Sequence, residues 1–417
     1  MSLKYRLTLM SFLQFFVWGA WLITIANYWF GTKQWGGAEF GAIFSTLGIS
    51  SIFMPALVGI VADRWVNAEK LYGILHILSG LTVFCLPMVN DPNTFFWIML
   101  LAMSFYMPTI ALSNSIAYNA LKSNNFDVVK VFPPIRVWGT IGFIIAMWFT
   151  NLTGSKATEF QFYISAVASF ILGVYSFTLP KCPPLKQQSA NSSWVETFGL
   201  NAFKLFANYK MALFFVFSML LGAALQLTNM YGDTFLDDFK KVPEYAGSFV
   251  VKYSTIIMSI SQISETLFIL AIPFFLNKFG IKKVMLISMF AWVLRFGLFS
   301  FGNPAGGLWM IILSCIVYGM AFDFFNISGS LFVETTTDNR IRSSAQGLFM
   351  MMTNGFGAIM GSLVSGFIID RFFTHDGIKD WHNIWLTFAI YSLVVAVLFA
   401  IFFKHKHEPE KLVNFQH

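Results

Sequence analysis

Charge is scarce in this chain. Asp, Glu, Lys and Arg make up 11% of its 417 residues, against roughly 25% in an ordinary soluble domain, too few to cover a water-exposed surface of that size. Cysteine is scarcer still. Cys85, Cys182 and Cys315 are an odd number without CxxC spacing, which implies neither a disulfide framework nor a metal site. Also missing are a GxxxxGK loop followed by Ser or Thr, an HExxH motif and a paired Ser/His set, which argues against direct ATP drive and against hydrolytic catalysis. The net charge is +7, but the basic residues are scattered between apolar segments rather than gathered into one patch. Nucleic acid is therefore not an expected partner, and no cofactor is implied.

What the chain has instead is apolar length. It is 57% hydrophobic, with 50 Phe, 20 Met and 13 Trp. Membrane-length runs recur from near the start to near residue 403, so a cleaved leader followed by a soluble body is not the reading. Twelve helices are predicted, at 8–30, 38–62, 71–89, 94–121, 134–153, 158–179, 210–232, 247–276, 283–301, 307–334, 342–371 and 381–403. The longest polar interruption, 180–207, carries Pro180, Pro183 and Pro184 ahead of a short amphipathic run at 194–206. It divides the chain into an N-terminal six-helix bundle (1–180), a cytoplasmic linker (181–208) and a C-terminal six-helix bundle (209–417). Lys and Arg concentrate in the loops on the side of the termini, which places both termini in the cytoplasm.

The halves echo each other. GIVADR at 59–64 and NKFGIKK at 277–283 occupy corresponding loops, and RVWGTIG at 136–142 corresponds to RSSAQG at 342–347. Parallel repeats of this kind build transporters that work by alternating access. The expected fold class is an all-α membrane protein of twelve transmembrane helices in two six-helix bundles related by pseudo-two-fold symmetry.

Glu265 lies in the middle of a membrane-length apolar segment. A charge at that depth costs at least about 2.5 to 3.5 kcal/mol and faces a cavity or a partner. Gln262, three residues earlier, shares its helix face, with Ser261 and Ser264 flanking. Similar stripes recur: Arg136, Thr140 and Phe143; Gln226, Asn229 and Asp233; Asp323, Asn326 and Ser330. One arginine against two carboxylates leaves no excess positive charge for an anionic substrate. A neutral, hydroxyl-rich molecule fits better, with Phe143, Phe322, Phe325 and Trp18 as flat surfaces for a base. On this chemistry a nucleoside, a monosaccharide and an amino sugar all remain open.

Particular runs narrow the choice. GIVADR at 59–64 with Lys70 resembles the loop motif of the major facilitator superfamily, although Val66 and Asn67 stand where that motif carries Gly and a basic residue. The runs FPPIRVWGTIGF (132–143), IMSISQISETLFIL (257–270) and AFDFFNISGS (321–330) resemble, more specifically, the nucleoside:proton symporters of that superfamily, the NupG-type permeases. The resemblance covers nearly the whole chain. It implies a substrate pocket lined by Arg136, Thr140, Phe143, Gln226, Asn229, Gln262, Glu265, Phe322 and Asp323. It also implies proton-coupled import of a nucleoside, a monomer, and a multi-pass protein of the bacterial inner membrane whose partners are nucleoside, proton and lipid. Asp323 or Glu265 is expected to carry the proton, and Gly59, Asp63 and Arg64 to act as a conformational latch.

Plainer roles stand beside these. Glu265 and Asp323 could pair structurally with Arg136 or Arg295, Arg136 could snorkel to the interface, and the amides could be interhelical glue. His76 reads as a satisfied structural residue. Asp233, Asp237 and Asp238 read as solvated residues at a helix end. Competing functions are a transporter of a neutral sugar or related solute, an intramembrane enzyme using Asp323 and Glu265 as acid and base, and a ligand sensor without counterflow.

Overall fold

A chain crossing hydrocarbon must satisfy each backbone N–H and C=O internally, and long apolar segments do so as helices. The computed structural model, which describes residues 2–184, 200–338 and 341–405, is helical almost throughout. The first helices are α1 (Leu3–Gly19), α2 (Gly37–Arg64), α3 (Ala68–Cys85), α4 (Pro92–Ser123), α5 (Val128–Leu152) and α6 (Phe160–Ser176). After the connecting segment come α7 (Tyr209–Asp238), a single turn at Phe249–Lys252, α8 (Ser254–Phe301), α9 (Leu308–Thr336), α10 (Arg342–Met350), α11 (Ala358–Phe373) and α12 (Trp381–Phe402). Among the described residues, nine helices are long and apolar enough to cross a membrane.

Several boundaries differ from those expected, for identifiable reasons. The segment 8–30 is not one helix: α1 stops at Gly19 and a π-helical stretch follows at Asn27–Thr32. Helix α5 starts at Val128 rather than 134, because Asp127 accepts the Lys130 N–H at 3.3 Å and so caps an earlier turn. Pro133 and Pro134 are accommodated inside it. The loop expected between 276 and 283 is a sharp break within α8 at Gly280, whose φ of 75° and ψ of 167° only glycine adopts freely. The segment 342–371 is interrupted by a π-helical stretch at Met351–Gly357. Of the amphipathic run at 194–206, the described part is a 3-10 helix, Leu200–Ala207, and 194–199 lie outside the described residues. The strands among the described residues, β1 (Thr374–His375) and β2 (Ile378–Lys379), form an antiparallel hairpin. Its turn is Asp376–Gly377, both with positive φ, as a two-residue hairpin turn demands.

Contacts divide the chain into two units: Met1–Thr197 with Asn229–Thr234, and Phe198–Thr228 with Phe235–His417. In the first, α1 packs on α5 and α6, α2 on α4, and α3 on α4 and α6. Small residues allow this closeness. A Cβ at Gly73 would lie 2.8 Å from the Gly173 carbonyl oxygen, and one at Gly173 would lie 3.0 Å from that of Gly73, so α3 and α6 touch backbone to backbone. Such packing matters in lipid, where no hydrophobic effect drives helices together. In the second unit α8 packs on α9 and α12.

Candidate functional site

In the first unit, α5 presents Arg136, Thr140 and Phe143 one turn apart, all half-buried. The Arg136 guanidinium lies 4.0 Å from the centre of the Phe15 ring, a cation–π placement rather than a free interfacial one. Phe143 meets Trp18 edge-on at 6.3 Å, and Trp18 meets Tyr106 at 5.8 Å. Trp18 and Phe143, singled out as flat surfaces, therefore share one aromatic wall. Beneath it lies a web of uncharged polar groups. Gln14 donates to Thr109 at 2.9 Å and accepts from the Tyr72 hydroxyl at 2.6 Å. His76 joins through Gln14 at 2.9 Å and Ser169 at 3.2 Å. It is tied down structurally, as expected of it.

Asp233 and Asp237 are not solvated: α7 runs on to Asp238, and Asp233 is only 1% exposed. It accepts a hydrogen bond from the Asn27 amide. Asp237 is buried as well and pairs with Lys240. Asn229, one turn before Asp233, is half-buried.

In the second unit the contributions come from three helices: Gln226 on α7, Gln262 and Glu265 on α8, and Phe322 and Asp323 on α9. Close backbone packing of α8 on α9 sets their register. A Cβ at Gly319 would fall 2.7 Å from the Ser264 carbonyl, and the Ser264 hydroxyl donates to the Ile316 carbonyl. Glu265 follows Ser264 and Asp323 lies one turn beyond Gly319, so the two carboxylates come within each other's electrostatic reach. Tyr318 lies in the field of both, and of Arg295. Its ring stacks parallel to Phe322 at 5.9 Å.

Asp323 is 5% exposed and Gln226 is 7% exposed. Oδ2 of Asp323, Oε1 of Gln226 and Oε1 of Gln262 are buried without a hydrogen-bond partner among the described residues. Buried acceptors are normally paired. Each of the three can accept from an O–H or N–H donor of a ligand.

The sequence had left Arg295 without a role beyond a possible ion pair. It is fully buried, donating through Nε to Thr228 at 3.2 Å and through Nη1 to the Ser314 carbonyl at 2.7 Å. Its guanidinium lies 4.7 Å from the Tyr318 ring centre. These bonds go to neutral groups on α7 and α9 and to neither carboxylate, so Arg295 braces the helices that carry the candidate residues.

The residues expected to form a latch are less informative. A Cβ at Gly59 would meet nothing within 4 Å, Arg64 is exposed, and the Asp63 side chain lies outside the described residues. Nearby is Glu69, which nothing in the sequence pattern singles out. It is buried, accepting the Cys182 N–H at 2.8 Å and the Asn67 amide at 3.1 Å, while the Ala68 N–H donates to the Cys182 carbonyl at 3.0 Å. The chain leaving α6 is thus fastened to the start of α3. Burial, with the Glu69 charge adding to it, pushes the Cys182 thiol up to about 11.

With this geometry established, the likenesses are specific. The Nucleoside H+ symporter family profile matches residues 1–408. The chain is 54% identical over 408 residues to nucleoside permease NupG of Escherichia coli (strain K12), covering 98% of this chain and 97% of that one. It is 51% identical over 413 residues to xanthosine permease of the same organism, covering 99% and 98%. A crystal structure of a mutant nucleoside transporter NupG matches with a TM-score of 0.94 at 53% identity, covering 97% of this chain and 100% of that one.

Proposed function

The chain belongs to the nucleoside H+ symporter family, and from that membership we propose how its own residues perform proton-coupled nucleoside import. It is a membrane transporter and not an enzyme. The observation that carries the site assignment is the set of buried acceptors without partners among the described residues, Asp323 Oδ2, Gln226 Oε1 and Gln262 Oε1, with the Phe322 ring next to Asp323 on α9. Ribose hydroxyls are donors that would satisfy such acceptors, and an aromatic face suits a planar base. Arg136, Thr140, Phe143 and Asn229 are assigned to the same substrate.

Glu265 and Asp323 are assigned the proton. Two carboxylates in each other's field titrate as a pair, and a proton taken up there is sensed by groups that also touch substrate. Counting α8 as two crossings about Gly280 and α10 through α11 as one, the chain crosses the membrane twelve times. The two sets of six are 1–180 and 209–417, joined by the cytoplasmic linker 181–208. Both termini are placed in the cytoplasm of a bacterial inner membrane, with the 59–64 segment as a conformational latch on that side. The protein acts as a monomer.

The test is uptake of labelled uridine and adenosine into proteoliposomes under an imposed inward proton gradient. Accumulation that collapses with a protonophore is expected. Folded, inserted protein that accumulates neither nucleoside would return the substrate to sugars and related neutral solutes.

A further inference from the structure

The second unit contains a cleft that shares Phe322 with the residues assigned to substrate but is otherwise distinct from them. It is lined by Leu225 and Gly222 of α7, Trp292 of α8, Phe322, Phe325 and Asn326 of α9, and Thr353 and Asn354 of the π-helical stretch. No charged side chain lines it. Its polar side-chain groups are two amides, a hydroxyl and the Trp292 indole N–H, set among aromatic rings, unlike the carboxylates of Glu265 and Asp323. Phe322 belongs to both regions, because it lines the cleft and its ring stacks on Tyr318, which lies in the field of the two carboxylates.

Asn354 reaches this cleft through an unusual backbone. A π-helical turn inserts a residue into the helical register and is found preferentially at functional positions. Here it spans Met351–Gly357. The stretch is held from behind, since a Cβ at Gly222 would lie 2.0 Å from the Thr353 carbonyl oxygen, so α7 lies directly on that backbone. The two amides are not equivalent. Asn326 donates its NH2 to the Phe322 carbonyl at 3.0 Å and is committed to its own helix. The Asn354 side chain makes no hydrogen bond among the described residues.

We propose that Asn354 reads the nucleobase: the base enters the uncharged cleft against Phe322 and Phe325, and the ribose turns toward Asp323, Gln226 and Gln262. An amide presents one acceptor and a donor side by side, which matches the adjacent donor and acceptor on the edge of a base. The acceptor-rich carboxylate region matches ribose hydroxyls instead. This inference rests on the nucleoside reading above and adds to it the orientation of the substrate and a residue that discriminates bases.

The experiment compares initial uptake rates and KM for two panels in proteoliposomes, with wild type, Asn354→Ala and the near-isosteric Asn354→Asp. The base panel is uridine, cytidine, adenosine and inosine. The ribose panel is uridine, 2′-deoxyuridine and 3′-deoxyuridine. The expected result is a change of roughly five- to tenfold in the kcat/KM ratio within the uridine and cytidine pair or the adenosine and inosine pair, with ratios in the ribose panel unchanged. A uniform loss across both panels, or no change in either, would overturn the assignment, since a merely structural asparagine lowers all substrates alike. If Asn354→Ala fails to insert, Asn354→Asp decides by the same ratios. A wild-type protein that takes up no nucleoside would sink the transport assignment itself, an outcome distinct from failure of Asn354 as the base reader.

Discussion

Arg295 and Ser314 exchange hydrogen bonds: the guanidinium donates to the Ser314 carbonyl at 2.7 Å, and the Ser314 hydroxyl donates to the Arg295 carbonyl at 2.9 Å. Both residues are fully buried. With Thr228 bound through Nε, this one side chain joins α7, α8 and α9 behind the residues assigned to substrate.

Removing that brace leaves buried acceptors unpaired. Arg295→Met is expected to lower stability by about 2 to 4 kcal/mol, from the desolvation cost of each orphaned group. Thermal unfolding of the purified protein in detergent would register this as a drop of several degrees, with Arg295→Lys recovering part of it. An unchanged midpoint in Arg295→Met would contradict the bracing role.

The carboxylate pair should separate binding from coupling. Glu265→Gln and Asp323→Asn keep side-chain shape while removing a titratable group. At least one is expected to abolish proton-driven accumulation while nucleoside exchange between the two sides of the vesicle persists. If both variants still concentrate nucleoside as wild type does, the proton is carried elsewhere.

Two glycines make opposite predictions. At Gly222 a methyl group would collide with the Thr353 backbone oxygen at 2.0 Å, and a backbone cannot rotate away. Gly222→Ala is expected to cost about 1 to 3 kcal/mol by overpacking. Gly59 has nothing within 4 Å of that position, so Gly59→Ala should leave the melting temperature unchanged. Any loss of transport in Gly59→Ala would then report on the transport cycle, which is the test of a latch role for 59–64.

A pH effect is expected at the hairpin between α11 and α12. Burial pulls the Lys379 ammonium down to about 8, with Lys241 adding to the effect and Asp238 and Asp370 opposing it. Its ordinary value in the unfolded chain is near 10.5. Between these values the unfolded chain binds the extra proton, so this residue makes stability rise as pH climbs from about 8 toward 10.5. Lys379→Met should flatten that rise in a series of unfolding midpoints. A wild-type profile without any such difference from the variant would show that Lys379 titrates normally.

How much of this was legible in the sequence differs from residue to residue. Apolar length alone indicates a membrane protein, because a stretch with almost no charge has no other way to bury its surface. Glu265 and Asp323 stand out because an intramembrane carboxylate is costly, and helical spacing puts Gln262 with Glu265, and Asn326 and Ser330 with Asp323, on their helices. Such properties belong to a single segment and are fixed by composition and by the 3.6-residue repeat. Asp233 was misjudged because its partner, Asn27, is distant along the chain. Arg295 gained its role from Thr228 and Ser314, on two other helices. The break in α8 at Gly280 and the π-helical turn that brings Asn354 to the cleft depend on how backbones stack, Gly222 on Thr353 above all. Periodicity determines which face of a helix is polar. Which neighbour meets that face, and which acceptors are left for a ligand, is decided only when the helices pack.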